Sequence, residues 1–272
     1  WLGLTYQISG ERRFADRAIA EMMAVSKFSD WHPAHYLDVA QMAYGVGLGY
    51  DWLYYEMTSS QRSTVRSALY NYAVNSTPGW SYKATTSNWN PWCHGGVAIA
   101  AAAIFEDYSS ACASYLAGSV TDIQKALKVM APLGAYPEGP GYFTVASLFT
   151  ALFCDTLQTV LGTDFGVSDI EGVKESGNYL LAMNGNVSTF NFGDGNHALM
   201  DGALLHWYAN RFNMPELSLY QREMQTHNGR YDIFLSMVWY NPDLVEGKSY
   251  DDRQTDYLVM SDEYESVASF RS

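Results

Sequence analysis

Cysteine is scarce in this chain: Cys93, Cys112 and Cys154 are the 3 cysteines among 272 residues. An odd, widely spaced set without a CxxC pair excludes a disulfide scaffold and leaves buried thiols as the expectation. Basic residues are also few, with 16 Lys+Arg against 29 Asp+Glu and a formal net charge of −13. That balance excludes a protein that captures nucleic acid through a general basic face, although it leaves room for a locally positive pocket. No apolar run of about 18 residues free of charge is read, so no membrane partner is expected. Val97 to Phe105 is too short and ends at Glu106-Asp107. Strand patterning is nearly missing until the last residues, and no strict internal repeat occurs, which argues against a regular solenoid. No leader peptide is read either: Trp1 stands where a start Met would, and WLGLTY reads as the last turns of a helix, as in a piece of a longer or processed protein.

What is present is a large apolar inventory. Apolar residues are 48% of the chain and aromatics 15%, including 8 Trp and 21 Tyr, enough for a real core and too much for disorder. The apolar residues recur with helical period. Phe14, Ala18, Met22 and Val25 form one stripe; Val65, Ala68, Leu69, Tyr72 and Ala73 a second; Leu116, Val120, Ile123, Leu127 and Met130 a third. Gly95 to Phe105 and Val145 to Leu161 are apolar nearly all round, as helices enclosed by protein are. Thr58-x-x-Gln61 and Ser168-x-x-Glu171 have the form of capping boxes, and Gly162, Gly185 and Gly229 sit where helices can stop. Gly45, Gly47 and Gly49 each cost about 1 kcal/mol within a helix, which is explained if a second helix packs closely there. Amphipathic helices alternating with buried ones predict an all-α chain of antiparallel helix hairpins, a helical toroid or solenoid over residues 1–250. Asp256 to Met260 and Tyr264 to Arg271 read as extended, so residues 251–272 are expected to be a linker and the first strands of a separate β domain.

Polar and aromatic residues concentrate in loops that lead into the buried segments. These are residues 29–38 (SDWHPAHYLD), 87–96 (SNWNPWCHGG), 134–143 (GAYPEGPGYF) and, more weakly, 191–197 (NFGDGNH). Trp, Tyr, Asn and carboxylates together suit a sugar: aromatic faces cover its apolar side, and amides and carboxylates bond its hydroxyls. His32 and His35 form an HxxH pair without an acidic partner at zincin-like spacing, so no metal is expected.

Residues 29–54, 87–96 and 136–143, which overlap three of these segments, resemble in sequence and order the heparinase II/III-like polysaccharide lyases, including the oligo-alginate lyases. NFGDGNH (191–197) and VASFRS (267–272) extend the resemblance. It implies an (α/α) toroid, incomplete here, followed by a β-sandwich, and β-elimination of uronic-acid glycans. It also implies a bacterial, periplasmic or secreted protein that works without a cofactor on an acidic polysaccharide or oligosaccharide, with its own β-sandwich as intramolecular partner. Carried over residue by residue, Asn88 stands where the family has its carboxylate-neutralising Asn. Tyr142 matches the catalytic Tyr of the Pro-Glu-Gly-x-x-Tyr pattern, and His35 aligns with a His that serves as a second donor. Where oligo-alginate lyases have a His after the Asn, this chain has Trp89.

β-Elimination asks for these residue types. The proton on C5 becomes removable only when the adjacent carboxylate is neutralised, as donors in an oxyanion hole do. A Tyr can take that proton and return one to the leaving oxygen if its environment lowers its pKa from about 10. Trp31, Trp89, Asn90, His94, Tyr136, Glu138, Asp194 and His197 are the candidate substrate-binding residues. Bland readings stand beside them: Asn88 as a helix cap, Glu138 as an anchor of its loop through backbone amides, the Trp residues as packing. Two other functions remain open at this stage: a glycoside hydrolase using Glu138 and Asp194 as its two carboxyl groups, and a non-catalytic glycan-binding domain.

Overall fold

The computed structural model describes residues 1–79, 85–184, 189–190, 192, 202–228, 233–249, 257–261 and 266–270. Helices make up most of them, and the described residues are all-α apart from one short β pair and an isolated bridge between Asn184 and Thr189. In chain order the helices are α1 (Leu2–Ser9), α2 (Arg12–Val25), α3 (Tyr36–Trp52), α4 (Ser59–Ala68), α5 (Trp89–Ala103), α6 (Ser109–Leu127), α7 (Gly139–Leu161), α8 (Gly177–Met183), α9 (Ala203–Phe212), α10 (Pro215–Asn228), α11 (Ile233–Trp239) and α12 (Pro242–Val245). Strands β1 (Tyr257–Ser261) and β2 (Ser266–Phe270) pair antiparallel, with Tyr257 opposite Phe270. Two compact units divide the chain: residues 1–85, 89–123 and 152–165 form one, and 86–88, 124–151 and 166–272 the other.

Local signals explain much of this layout. The opening segment is helical and ends at Gly10, whose left-handed φ of 67° closes α1 through its amide on the Tyr6 carbonyl. Thr58 and Gln61 form the reciprocal capping box at the start of α4. Gly162, with φ 75°, stops α7, while Gly185 and Gly229 lie outside the described residues. Ser168-x-x-Glu171 is not a capping box: that stretch is a series of turns, and α8 starts only at Gly177. The Ser168 hydroxyl instead accepts from Arg211 Nε at 2.7 Å. Gly172 holds φ 88° where an added Cβ would lie 2.1 Å from the Met130 carbonyl oxygen. On α2 the buried face is Ala15, Ala18, Ile19 and Met22, rotated slightly from the expected stripe: Phe14 and Val25 are only partly buried, and the Arg13 guanidinium lies over the Phe14 ring. All three cysteines are buried free thiols.

In the first unit α5 is buried nearly all round and lies against α3. The approach is close to backbone contact. A Cβ on Gly96 would sit 2.3 Å from the Ala40 carbonyl oxygen, and one on Gly47 3.1 Å from the Ala100 backbone. Gly49 faces the Met22 sulfur in the same way at 2.7 Å, so two of the three α3 glycines answer a packing need; Gly45 meets nothing within 4 Å. Contrary to the expectation of no span, α7 is long and apolar enough to cross a membrane by length and composition, with a mean hydropathy of 1.4. Half of that window is buried inside the protein, which is how a core helix satisfies the same pattern.

The second unit holds a buried histidine. His206 on α9 is 1% exposed, and its Nδ1 lies 2.7 Å from the Ser218 hydroxyl of α10. Burial, helped by the Arg222 charge, lowers its pKa to about 4.

Two stability experiments follow. Gly96→Ala must push α3 and α5 apart and is expected to cost about 1–3 kcal/mol in denaturant unfolding. Gly45→Ala, with open space, gains about 0.5–1 kcal/mol, and equal midpoints for the two variants would refute the packing account. For His206 the unfolded chain takes up a proton first, so stability is lost as pH falls from about 6.5 to about 4, by up to about 3 kcal/mol. His206→Gln removes that component; a difference between variant and parent that stays constant over this range contradicts the assignment.

Candidate functional site

The strongest constellation lies in the second unit, where the loops carrying Asn88 and Tyr136-Pro137-Glu138 are tied together. The Asn88 backbone amide donates to Glu138 Oε2 at 2.6 Å, and the Asn88 Nδ2 donates to Oε1 at 3.0 Å. The Tyr136 hydroxyl donates to Oε2 at 3.0 Å. One carboxylate therefore clamps two segments 50 residues apart. Burial first, and then the Glu138 charge and hydrogen bond, push the Tyr136 phenol well above its ordinary value. Tyr136 is thus fixed as a protonated donor, packed edge-on against Phe143 and 1% exposed.

This clamp decides the orientation of the Asn88 amide. A carboxylate only accepts, so the nitrogen must face Glu138 and the oxygen must face away. Asn88 Oδ1 is buried and has no hydrogen-bond partner among the described residues, and one N–H of the same group is uncommitted. An unmet buried acceptor costs about 1–3 kcal/mol unless something donates to it. Asn88 is therefore a buried amide held on one side by Glu138 and left with an unmet acceptor on the other.

Tyr142 lies four residues past Glu138 in the first turn of α7. Gly139 at the head of that helix takes φ 85°, and a Cβ there would meet the Phe192 carbonyl oxygen at 2.3 Å, so the entry geometry requires glycine. The Tyr142 side chain is partly exposed and makes no hydrogen bond among the described residues. Its hydroxyl is available where that of Tyr136 is not. Asp194 and His197 lie outside the described residues.

The remaining candidates fall in the first unit. His32, His35 and Asp38 form a solvent-accessible cluster: Asp38 Oδ2 is 2.5 Å from His32 Nδ1 and 3.3 Å from His35 Nδ1. The His32 hydrogen bond, followed by that of His35, holds the Asp38 carboxyl below the usual carboxylate range. Trp89, the residue after Asn88, sets its ring edge-on to His35 at 5.0 Å. Other candidates in this unit are internal. Trp31 is 3% exposed, donates Nε1 to the Val25 carbonyl and packs on Tyr72. Asn90 is fully buried and donates Nδ2 to the carbonyls of Thr85 and Asp122. His94 is 2% exposed, with Nδ1 3.0 Å from the Ser119 hydroxyl. Asp38 is the residue that sequence reasoning passed over, although its place three positions after His35 was a usable signal.

No protein-family model matches the chain, and no curated protein matches it by sequence.

Removing the clamp tests its role. Glu138→Ala strands the Asn88 amides and the Tyr136 hydroxyl, and is expected to lower unfolding stability by roughly 2–5 kcal/mol. Tyr136→Phe, which removes one donor and leaves the rest paired, is expected to cost about 1 kcal/mol. Equal, small effects in both would mean that Glu138 does not organise these loops.

Proposed function

We propose that the chain is the helical catalytic region of a polysaccharide lyase that cleaves uronic-acid glycans by β-elimination. The observation that carries this reading is the Asn88 amide, held by Glu138 and left with an unmet buried acceptor and a spare N–H. An amide fixed in this way suits a uronate carboxyl group. Its N–H donates to the carboxylate, and its oxygen accepts from an adjacent sugar hydroxyl or from the carboxyl group once protonated. Neutralising that charge lets the C5 proton leave.

Tyr142 supplies the proton transfers. Its phenolate takes the proton from C5, the electron pair forms the C4–C5 double bond, and the C4–O bond breaks. The proton then passes from the phenol to the departing oxygen, which restores the phenolate. The partly exposed, uncommitted Tyr142 hydroxyl supports this assignment over Tyr136, which is locked as a donor to Glu138. The family resemblance would add His35 as a further donor, but the proposed chemistry stands on Asn88 and Tyr142. The hydrolase reading is less well supported, because the Glu138 oxygens already accept three hydrogen bonds. The resemblance is also the basis for proposing an (α/α) toroid that leads into a β-sandwich at β1 and β2.

The test is incubation of the full-length protein with a panel of uronic-acid glycans, read by the ultraviolet absorbance of the unsaturated product. Absorbance is expected with at least one uronate polymer. Tyr142→Phe should reduce it about 10²–10⁴-fold and Asn88→Ala about 10²–10³-fold. Saturated reducing ends with no absorbance, or a fully active Tyr142→Phe, would overturn the proposal.

A further inference from the structure

We propose that His32, His35 and Asp38 form a zinc-type divalent cation site, independent of the lyase reading. Their ligand atoms all lie within 4.8 Å of one another. Two imidazole nitrogens and one carboxylate oxygen are the donor set that zinc takes when it keeps open positions for water or substrate. In a tetrahedral zinc site neighbouring ligand atoms lie about 3.3 Å apart. His35 Nδ1 and Asp38 Oδ2 already stand at 3.3 Å. His32 Nδ1, at 2.5 Å from the same oxygen, needs to open by less than about 1 Å. Both histidine side chains and Asp38 are about half exposed or more, so rotamer adjustment is unobstructed by burial.

The backbone brings the three groups to one side. Pro33–His35 is a 3₁₀ turn, which returns to the same direction every three residues, and α3 follows directly. His32 is held at a left-handed φ of 57° while its amide donates to Asp30 Oδ1 at 2.8 Å. The Trp89 edge fixes one side of the His35 ring. The start of α3 carries about half a positive charge, which opposes a cation, and Asp38 in its first turn more than cancels it. The chain as a whole is at −13.

The test is zinc titration of the chelator-treated full-length protein by calorimetry, with cobalt absorption as a second readout. One zinc per chain bound through this cluster is expected. His32→Ala and Asp38→Asn are each expected to weaken binding at least about 100-fold, whereas His206→Gln, in the other unit, leaves it unchanged. Cobalt in the parent protein should give the intense visible bands of a four- or five-coordinate ion without sulfur charge transfer, a result that needs no variant. Failure to take up stoichiometric zinc, uptake that survives both variants, or only the weak spectrum of hydrated cobalt would reduce the cluster to a surface hydrogen-bond group. Either outcome leaves the glycan-cleavage assay untouched, so the two readings fail separately.

Discussion

The Glu138 carboxylate accepts three hydrogen bonds from two segments that are distant in the chain, and the candidate site depends on it. An acceptor-only group imposes directions on its donors. It turns the Asn88 nitrogen inward and the Asn88 oxygen outward, and it keeps the Tyr136 proton on the phenol. Two chemically similar tyrosines, Tyr136 and Tyr142, are thereby given different roles: one is consumed as a structural donor and the other is left uncommitted. The sugar chemistry proposed for the site uses only what this arrangement leaves free.

A helix follows each of the two candidate loops in the chain. Asn88 is followed immediately by α5, whose residues from Asn90 to Ala101 are buried with the exception of Trp92. Glu138 is followed by α7, whose entry turns on Gly139. In the first unit, glycine at Gly96 and Gly47 lets α3 and α5 approach almost to backbone contact. Small residues at these positions lower helix propensity, and the close packing offsets that loss.

Much of the helical layout was legible because its signals are local. The Thr58 capping box, the Gly10 and Gly162 stops and the stripes beginning at Val65 and Leu116 rest on residues each within about one turn of the next. The same kind of signal failed at Ser168, where a partner from α9, Arg211, claims the hydroxyl. Trp31 looked like a sugar platform in sequence yet lies in the core, since a loop Trp reads alike whether it faces water or an underlying Tyr72. The anchoring of Glu138 was one of two readings open in the sequence, but its partners were not foreseeable, because Asn88 is far away along the chain. Asp38 was missed because its neighbours were compared with zincin spacing, whereas a 3₁₀ turn running into a helix aligns every third residue.

The central claim is that the chain's chemistry removes a proton and breaks a C–O bond without adding water. It is tested most directly by mass spectrometry of oligouronate products formed in water labelled with heavy oxygen. The account predicts fragments whose new non-reducing ends are each short of one water and whose masses carry no label. Fragments that contain the full water and incorporate the heavy oxygen at the cleavage point would contradict it.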